Sequence, residues 1–109
     1  MEETEQIINE ANEEGKLVIL DFTAYNCPPC SMIAPYYEEL SESEEFMDQV
    51  IFLKVNVNDN PQIAQKFDVD GWPTFLFIKG GQVIDSIVGG NAAKLGLYDM
   101  VVKHQSQSN

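Results

Sequence analysis

Two nearly unbroken apolar runs stand out in the pattern of hydrophobic and polar positions along the chain. They cover Leu17–Thr23 and Val50–Val57. Strands that are covered on both faces, as in a parallel sheet, have this composition, so both runs are predicted to be buried strands. Two further strands are predicted over Thr74–Ile78 and Gln82–Val88, and the Lys-Gly-Gly segment between them is typical of a hairpin.

Apolar residues at helical spacing occupy the segments around these strands. The pattern predicts helices over Thr4–Asn12, from the Cys-Pro-Pro-Cys segment onward with a kink at Pro35, and after Asn60. Asn91 is predicted to cap a last helix, whose inner face would be Ala92, Leu95, Tyr98, Val101 and Val102. The order of elements predicts one α/β domain with a mixed sheet over residues 1–109, with residues 1–5 and 105–109 frayed.

The charge balance narrows the class of partner. The chain has 18 acidic and 6 basic residues, a formal net charge of -12, and every basic residue is a lysine. This charge opposes binding to nucleic acid and to anionic membranes. No apolar run reaches the roughly 18 residues of a transmembrane helix, and the acidic start lacks the features of a secretory signal. We therefore expect a cytoplasmic, reducing environment.

Cys27 and Cys30 lie three positions apart, at the predicted start of a helix that follows a buried strand. Unpaired N–H groups and the helix dipole favour a thiolate there, and the second thiol lies one turn further on. A zinc site would need about four ligands, and only His104 is available to join the pair. A structural disulfide across so short a loop would stabilise little, and an incidental pair is the remaining alternative. The pattern favours redox chemistry without a bound metal.

Asp21 interrupts the first apolar run, and Lys54 lies in the second. Burying a carboxylate is costly, so Asp21 is either an acid that reaches water or an acid–base group whose pKa is raised by burial. Parallel pairing of the two strands would bring the Lys54 ammonium near Asp21. The alternative is that Lys54 extends its side chain to the sheet edge.

These pieces, taken in order, resemble the thioredoxin family over about Ile7–Lys103. The residues that carry the resemblance are Val18–Phe22, Cys27–Cys30, Pro35, Lys54–Val57, Asn60 and Pro61, Gly71–Thr74, Phe77–Gly81 and Gly89. The resemblance implies a thioredoxin fold with a central mixed four-stranded sheet flanked by helices. The first strand of the family is expected to be absent, because the chain starts almost directly in the first helix.

The resemblance also implies roles for single residues. Cys27 would be the attacking thiol, Cys30 the resolving thiol, Asp21 the buried acid and Lys54 its neighbour. It further implies a substrate-binding surface made by Gly71, Trp72, Pro73 and Gly89, in which Pro73 is a cis-proline, the backbone before it pairs with an extended substrate segment and Gly89 leaves room for that segment.

The implied activity is reduction of protein disulfides through the Cys27–Cys30 pair. No nucleotide motif or other cofactor site is apparent, so electrons would come through thioredoxin reductase or a similar donor. A monomer is expected, with weak dimerisation through an exposed sheet edge as the alternative.

Several positions depart from the family pattern. Asn26 replaces a tryptophan, Pro28 replaces a glycine and Ser31 stands where a lysine is common. Thr23 and Asn58 stand where a tryptophan and an aspartate usually meet. Three alternatives to a general reductase follow: a tryparedoxin- or nucleoredoxin-like protein, a disulfide oxidase or isomerase, and a binding module that senses redox state without turnover.

Overall fold

The computed structural model describes residues 2–105, which form four helices and four strands. The bounds are α1 Glu2–Glu14, β1 Leu17–Thr23, α2 Pro28–Ser41, β2 Val50–Asn56, α3 Pro61–Lys66, β3 Thr74–Lys79, β4 Gln82–Val88 and α4 Gly90–Gln105. The predicted order of elements is confirmed. The fraying predicted for residue 1 and for residues 106–109 lies outside the described residues; residues 2–5 and Gln105 are helical, and their fraying stays a prediction.

The four strands form one mixed sheet in the order β2-β1-β3-β4. β1 runs parallel to β2 and antiparallel to β3, and β3 pairs antiparallel with β4. The β1–α2–β2 segment is the predicted βαβ unit, and the last two strands form the predicted hairpin. Among the described residues, β2 and β4 are the edges of the sheet, and helix α1 comes before its first strand.

Alternate residues of β1 pack into two separate cores, one on each face of the sheet. Leu17 and Ile19 join the core covered by α2 and α4, whereas Val18, Leu20 and Phe22 join the core beneath α1 and α3. Because side chains alternate along a strand, Asp21 points to the same face as Leu17 and Ile19. The apolar run is therefore buried on both faces, as predicted, and its one acid is directed toward helix α2.

The predicted inner face of α4 is wrong in phase. The buried residues are Ala93, Leu97, Val101 and His104, while Leu95 is 85% exposed and Tyr98 is 40% exposed. Only Val101 belongs to both sets. The apolar residues of this helix form more than one stripe, and packing against the sheet selected the stripe that also buries the polar His104.

Candidate active site

Cys27 and Cys30 stand where α2 begins. Cys27 is the N-cap residue with extended backbone (φ −123°), and its sulfur accepts a hydrogen bond from the Cys30 N–H at 3.3 Å. The two sulfurs are joined as a disulfide. Cys30 is 5% exposed, whereas Cys27 is partly exposed. An incoming sulfur can therefore reach Cys27 and not Cys30.

The two prolines between the cysteines occupy the first turn of α2. A helix leaves its first N–H groups unpaired, so the missing N–H groups of Pro28 and Pro29 cost the helix no hydrogen bond. They do remove two donors from the neighbourhood of the Cys27 sulfur. The Cys30 N–H is left to face that sulfur, and the Ser31 N–H donates instead to the Cys27 carbonyl oxygen at 3.1 Å.

Asp21 is a buried acid on the sheet face beneath α2. Its side chain is 1% exposed, and its Oδ1 atom has no hydrogen-bond partner among the described residues. Burial raises the pKa of this carboxyl from 3.8 to about 6, and the positive charge of Lys54 offsets part of the rise. Cys30 lies on the buried side of α2, together with Ile33 and Tyr37. The sheet and the helix thus bring Asp21 and Cys30 into the same core layer.

Lys54 lies directly opposite Asp21 in the parallel register of β1 and β2. Its side chain is exposed at the sheet edge, as the edge interpretation predicted. Among residues 2–105, no lysine nitrogen lies within 4.0 Å of an Asp21 oxygen. Lys54 therefore acts on the Asp21 pKa through its charge at a distance.

The Trp72–Pro73 peptide bond is cis and lies in the loop that leads into β3. The Pro73 carbonyl oxygen accepts a hydrogen bond from the Gly89 N–H at 2.8 Å, and the Thr74 hydroxyl donates to the Gly71 carbonyl at 2.6 Å. Gly89 has φ +101°, a backbone conformation that a residue with a Cβ adopts rarely. This loop is therefore fixed from both sides, and the positive φ at position 89 favours a glycine there.

An open groove of about 440 Å³ lies between the disulfide turn and this loop. Trp72, Pro73 and Gly89 line it, as expected for a substrate surface, together with Met32 and Val88. Met32 is 69% exposed, Val88 62% and Trp72 41%, which is a high exposure for large apolar side chains. A groove of this kind fits an extended apolar segment of another protein. Gly71 is near the loop but does not line the groove.

A contact between loops that sequence reasoning missed holds the segment before Cys27. The Tyr25 backbone N–H donates to Asn58 Oδ1 at 2.8 Å, and the Tyr25 hydroxyl donates to Asp59 Oδ2 at 2.8 Å. We call these two bonds the Tyr25 clamp. Asn26, next to it, has φ +54°, a conformation that asparagine tolerates better than most residues. The clamp occupies the region where the family contact of a tryptophan and an aspartate is absent.

Helix α4 approaches the disulfide turn closely at its first residue. A Cβ added at Gly90 would lie 3.1 Å from the Pro29 carbonyl oxygen and 3.4 Å from the Pro29 Cβ. The start of α4 therefore rests against the turn between the two cysteines, and Gly90 permits this contact because it has no side chain.

Among residues 2–105, no group of three or more His, Cys, Asp or Glu side chains is arranged to hold a metal ion. Within the same residues, no helix has the length and apolar character needed to cross a membrane.

Comparison with known proteins points to one family throughout. The family model described as Thioredoxin matches residues 2–102. Thioredoxin H4 of Arabidopsis thaliana is 45% identical over 97 residues, which are 89% of this chain and 78% of that protein. Thioredoxin H3 of the same plant is 38% identical over 106 residues, which are 97% of this chain and 86% of that protein.

Solved structures give the same result. The X-ray structure of Fasciola hepatica thioredoxin superposes with a TM-score of 0.80 at 39% identity, covering 93% of this chain and 90% of that chain. Thioredoxin NaTrxh from Nicotiana alata superposes with a TM-score of 0.83 at 30% identity, covering 94% of this chain and 85% of that chain.

Proposed function

We propose a division of roles among the residues of the site. The premise is that this chain belongs to the thioredoxin family and is a protein-disulfide reductase. Cys27 is the attacking thiol, Cys30 the resolving thiol and Asp21 the acceptor of the Cys30 proton. The observation that carries this assignment is the difference in exposure, because Cys27 is partly exposed and Cys30 is 5% exposed.

The reaction begins with both cysteines reduced. The Cys27 thiolate attacks one sulfur of a substrate disulfide, the substrate S–S bond breaks, and one substrate cysteine leaves as a thiolate. Cys30 then loses its proton and attacks the Cys27 sulfur. The bond between Cys27 and the substrate breaks, the second substrate cysteine leaves, and the Cys27–Cys30 disulfide forms. Two electrons pass from the cysteine pair to the substrate.

Asp21 is suited to take the Cys30 proton because of its burial. A general base works best when its pKa lies close to the working pH, and burial raises the pKa of Asp21 to about 6. At neutral pH the group is mostly ionised and still basic enough to accept a proton. Lys54 tunes this value, since its positive charge favours the carboxylate.

The groove beside the disulfide turn supports the expected substrate surface. In this proposal the segment that carries the substrate disulfide lies in extended form along Trp72 and Pro73, and Gly89 leaves room for it. A Cβ added at Gly89 would extend into open space, with no atom beyond its chain neighbours within 4 Å, so a side chain at this position would take up room in the groove.

We propose that the electrons come from thioredoxin reductase or a similar partner, and that the protein carries no cofactor of its own. Thioredoxins are reduced in this way, and the dithiol form persists where reductants keep thiols reduced. The chemistry therefore supports a cytoplasmic location. The relatives are thioredoxins, so the tryparedoxin-like, nucleoredoxin-like and binding-module alternatives are not favoured.

A monomer is the oligomeric state that we propose. A net charge of -12 opposes self-association at low salt, although β2 presents a free strand edge in the described part of the chain. Sedimentation at low and high salt tests this. A species of one chain at both salt concentrations supports the proposal, and a dimer that appears as salt screens the charge contradicts it.

Single cysteine variants test the assignment of roles. Cys27→Ser is expected to abolish insulin reduction driven by NADPH and thioredoxin reductase. Cys30→Ser is expected to accumulate a mixed disulfide with substrate that mass spectrometry detects. Ser31→Ala, in the same turn, is the matched control and should retain turnover. If Cys27→Ser accumulates the mixed disulfide instead, the two roles are reversed.

A further inference from the structure

Next to the groove beside the disulfide lies a second surface depression that has no role in the proposed reaction. This second depression, of about 230 Å³, lies between the segment 67–70 and strand β4. Thr74 and Leu76 of β3 line it, and Val83 and Ser86 form its β4 side. Val88 lines both this depression and the groove at Pro73. The two therefore meet at one exposed apolar side chain.

The two depressions differ in charge. The groove at Pro73 is lined without any charged residue, whereas Asp68 and Asp70 both line the second depression. Both aspartates are exposed. Among residues 2–105, neither carboxylate has a lysine nitrogen within 4.0 Å, and the nearby Lys66 is engaged by Glu5. The second depression is an unneutralised negative site that continues an apolar one.

We infer that the two depressions act as one substrate site that selects disulfide-bearing segments with a lysine or arginine a few residues from the cysteine. This inference rests on the proposed function. A segment lying along Pro73 passes Val88 before it reaches the second depression, so its apolar side chains meet Trp72 and Val88. The cationic side chain then meets the two carboxylates of Asp68 and Asp70, where charge complementarity favours it over a neutral or acidic one.

The size of the effect follows from the exposure of the carboxylates. Ion pairs at exposed sites are weak and are screened by salt, so the preference is modest. We expect the single-turnover rate constant for a cationic substrate to exceed that for a neutral one by about 3- to 10-fold at low salt. The preference should shrink as ionic strength rises.

Sets of three matched disulfide peptides test the inference. All peptides share an apolar residue beside the cysteine, and the three members of a set carry Arg, Gln or Glu at one position. That position differs between sets, from two to six residues from the cysteine on either side. The single-turnover rate with pre-reduced protein is measured for each peptide, so that no reductase enters the comparison. We expect the order Arg, Gln, Glu at one or more adjacent positions, with the spread reduced at high salt.

Variants locate the effect. Asp68→Asn/Asp70→Asn is expected to lose most of the preference, measured as the ratio of the Arg-peptide rate to the Gln-peptide rate. Glu3→Gln/Glu13→Gln removes the same charge from the exposed face of α1 and should keep the preference. The single variant Asp70→Asn, with an intermediate loss expected, replaces the double variant if that one does not fold.

Each result separates the two proposals. If the wild-type protein reduces the Gln peptide with no charge preference, or if both double variants lose the preference equally, the inference is overturned and the reductase activity stands. If the Gln peptide is not reduced at all, the proposed function fails and the inference falls with it.

Discussion

Two buried ionisable side chains, Asp21 and His104, differ in whether they pair with another ionisable side chain. Asp21 is 1% exposed, and its Oδ1 atom has no hydrogen-bond partner within the described residues. His104 is 5% exposed near the β3–β4 hairpin, and its Nε2 atom lies 2.8 Å from Asp85 Oδ2, while its Nδ1 atom has no partner within the described residues. The Lys79 ammonium donates to the His104 carbonyl oxygen at 2.9 Å and fixes the end of α4 to the hairpin.

Because Asp21 is buried without an ion-pair partner among the described residues and Asp85 is paired with His104, the pKa values of these two acids move in opposite directions. Burial raises the pKa of Asp21 to about 6, whereas the hydrogen bond from His104 lowers the pKa of Asp85. An acid whose charged form is disfavoured in the folded state destabilises the protein at neutral pH; an acid whose charged form is paired stabilises it. Under the proposed mechanism, the buried charge of Asp21 lowers the stability of the protein, whereas the Asp85–His104 pair stabilises the fold.

The largest expected effect comes from removing the Asp21 charge. Asp21→Asn keeps the side-chain shape but cannot accept the Cys30 proton. Resolution of the mixed disulfide should slow by about 100-fold at neutral pH, while the first attack by Cys27 changes little. Stopped-flow measurement of the two steps tests this, with the exposed Asp48→Asn as the control. Equal rates of resolution in variant and wild type would remove Asp21 from the mechanism.

The same variant should be more stable than the wild type at neutral pH. Between pH 3.8 and about 6 the folded wild type binds more protons at Asp21 than the unfolded chain does, so its stability falls as pH rises. Above that range the variant should gain about 3 kcal/mol in the free energy of unfolding, and below pH 3.8 the gain should vanish. Urea unfolding across this pH range measures the difference. A gain that does not depend on pH would contradict the assigned cause.

Asp85→Asn should have the opposite sign and a smaller size. It leaves the buried His104 ring with a weaker partner, so the free energy of unfolding at neutral pH should fall by about 1–2 kcal/mol. Because the Asp85 pKa is lowered, the contribution of its carboxylate is present above pH 3.8 and is lost as the pH falls through the folded value. Urea unfolding reports the change, and disulfide reduction should stay at the wild-type rate. A loss of disulfide-reduction activity while the variant remains folded would contradict the assignment of the Asp85–His104 pair to the fold alone.

The smallest effect is expected at the Tyr25 clamp. Asn58→Ala removes the acceptor of the Tyr25 N–H and loosens the segment before Cys27. The free energy of unfolding should change by about 1 kcal/mol or less, because Asn58 is exposed, while the alkylation rate of reduced Cys27 should change by a few-fold. Asn58→Asp keeps an acceptor and should restore the wild-type rate, and Asn9→Ala on α1 is the control. Alkylation rates that are the same in all four proteins would show that the clamp does not position Cys27.

The accuracy of sequence-based prediction also differs between parts of the molecule. The bounds of β1 and β4 were predicted correctly, because a run buried on both faces and a hairpin segment each have a strong local pattern. The inner face of α4 was wrong, because Leu95 and Tyr98 lie at helical spacing like a buried stripe although both are exposed. Only packing against the sheet decided between the two stripes.

Within the candidate site, some residues were likewise predicted from the sequence and others were missed. Cys27 and Cys30 were found because their spacing is itself the signal, whereas the role of Pro73 came from the resemblance to the family and not from its spacing. The Tyr25 clamp joins Tyr25 to Asn58 and Asp59, which lie 33 and 34 positions further along the chain. No local pattern indicates which asparagine or aspartate accepts these hydrogen bonds. Asp21 Oδ1 has no hydrogen-bond partner within the described residues. This too depends on how the core packs around the side chain, and the sequence of strand β1 does not indicate it.

The contact between Gly90 and the Pro29 carbonyl restricts how this protein can be redesigned. The pair of residues between two such cysteines is the natural target for a library meant to retune the reducing power of the protein. Any side chain at position 90 would press on that turn, since even a Cβ would lie 3.1 Å from the Pro29 oxygen. Residues 28, 29 and 90 therefore form one design unit, and a library over the turn samples the wild-type backbone only while position 90 stays glycine.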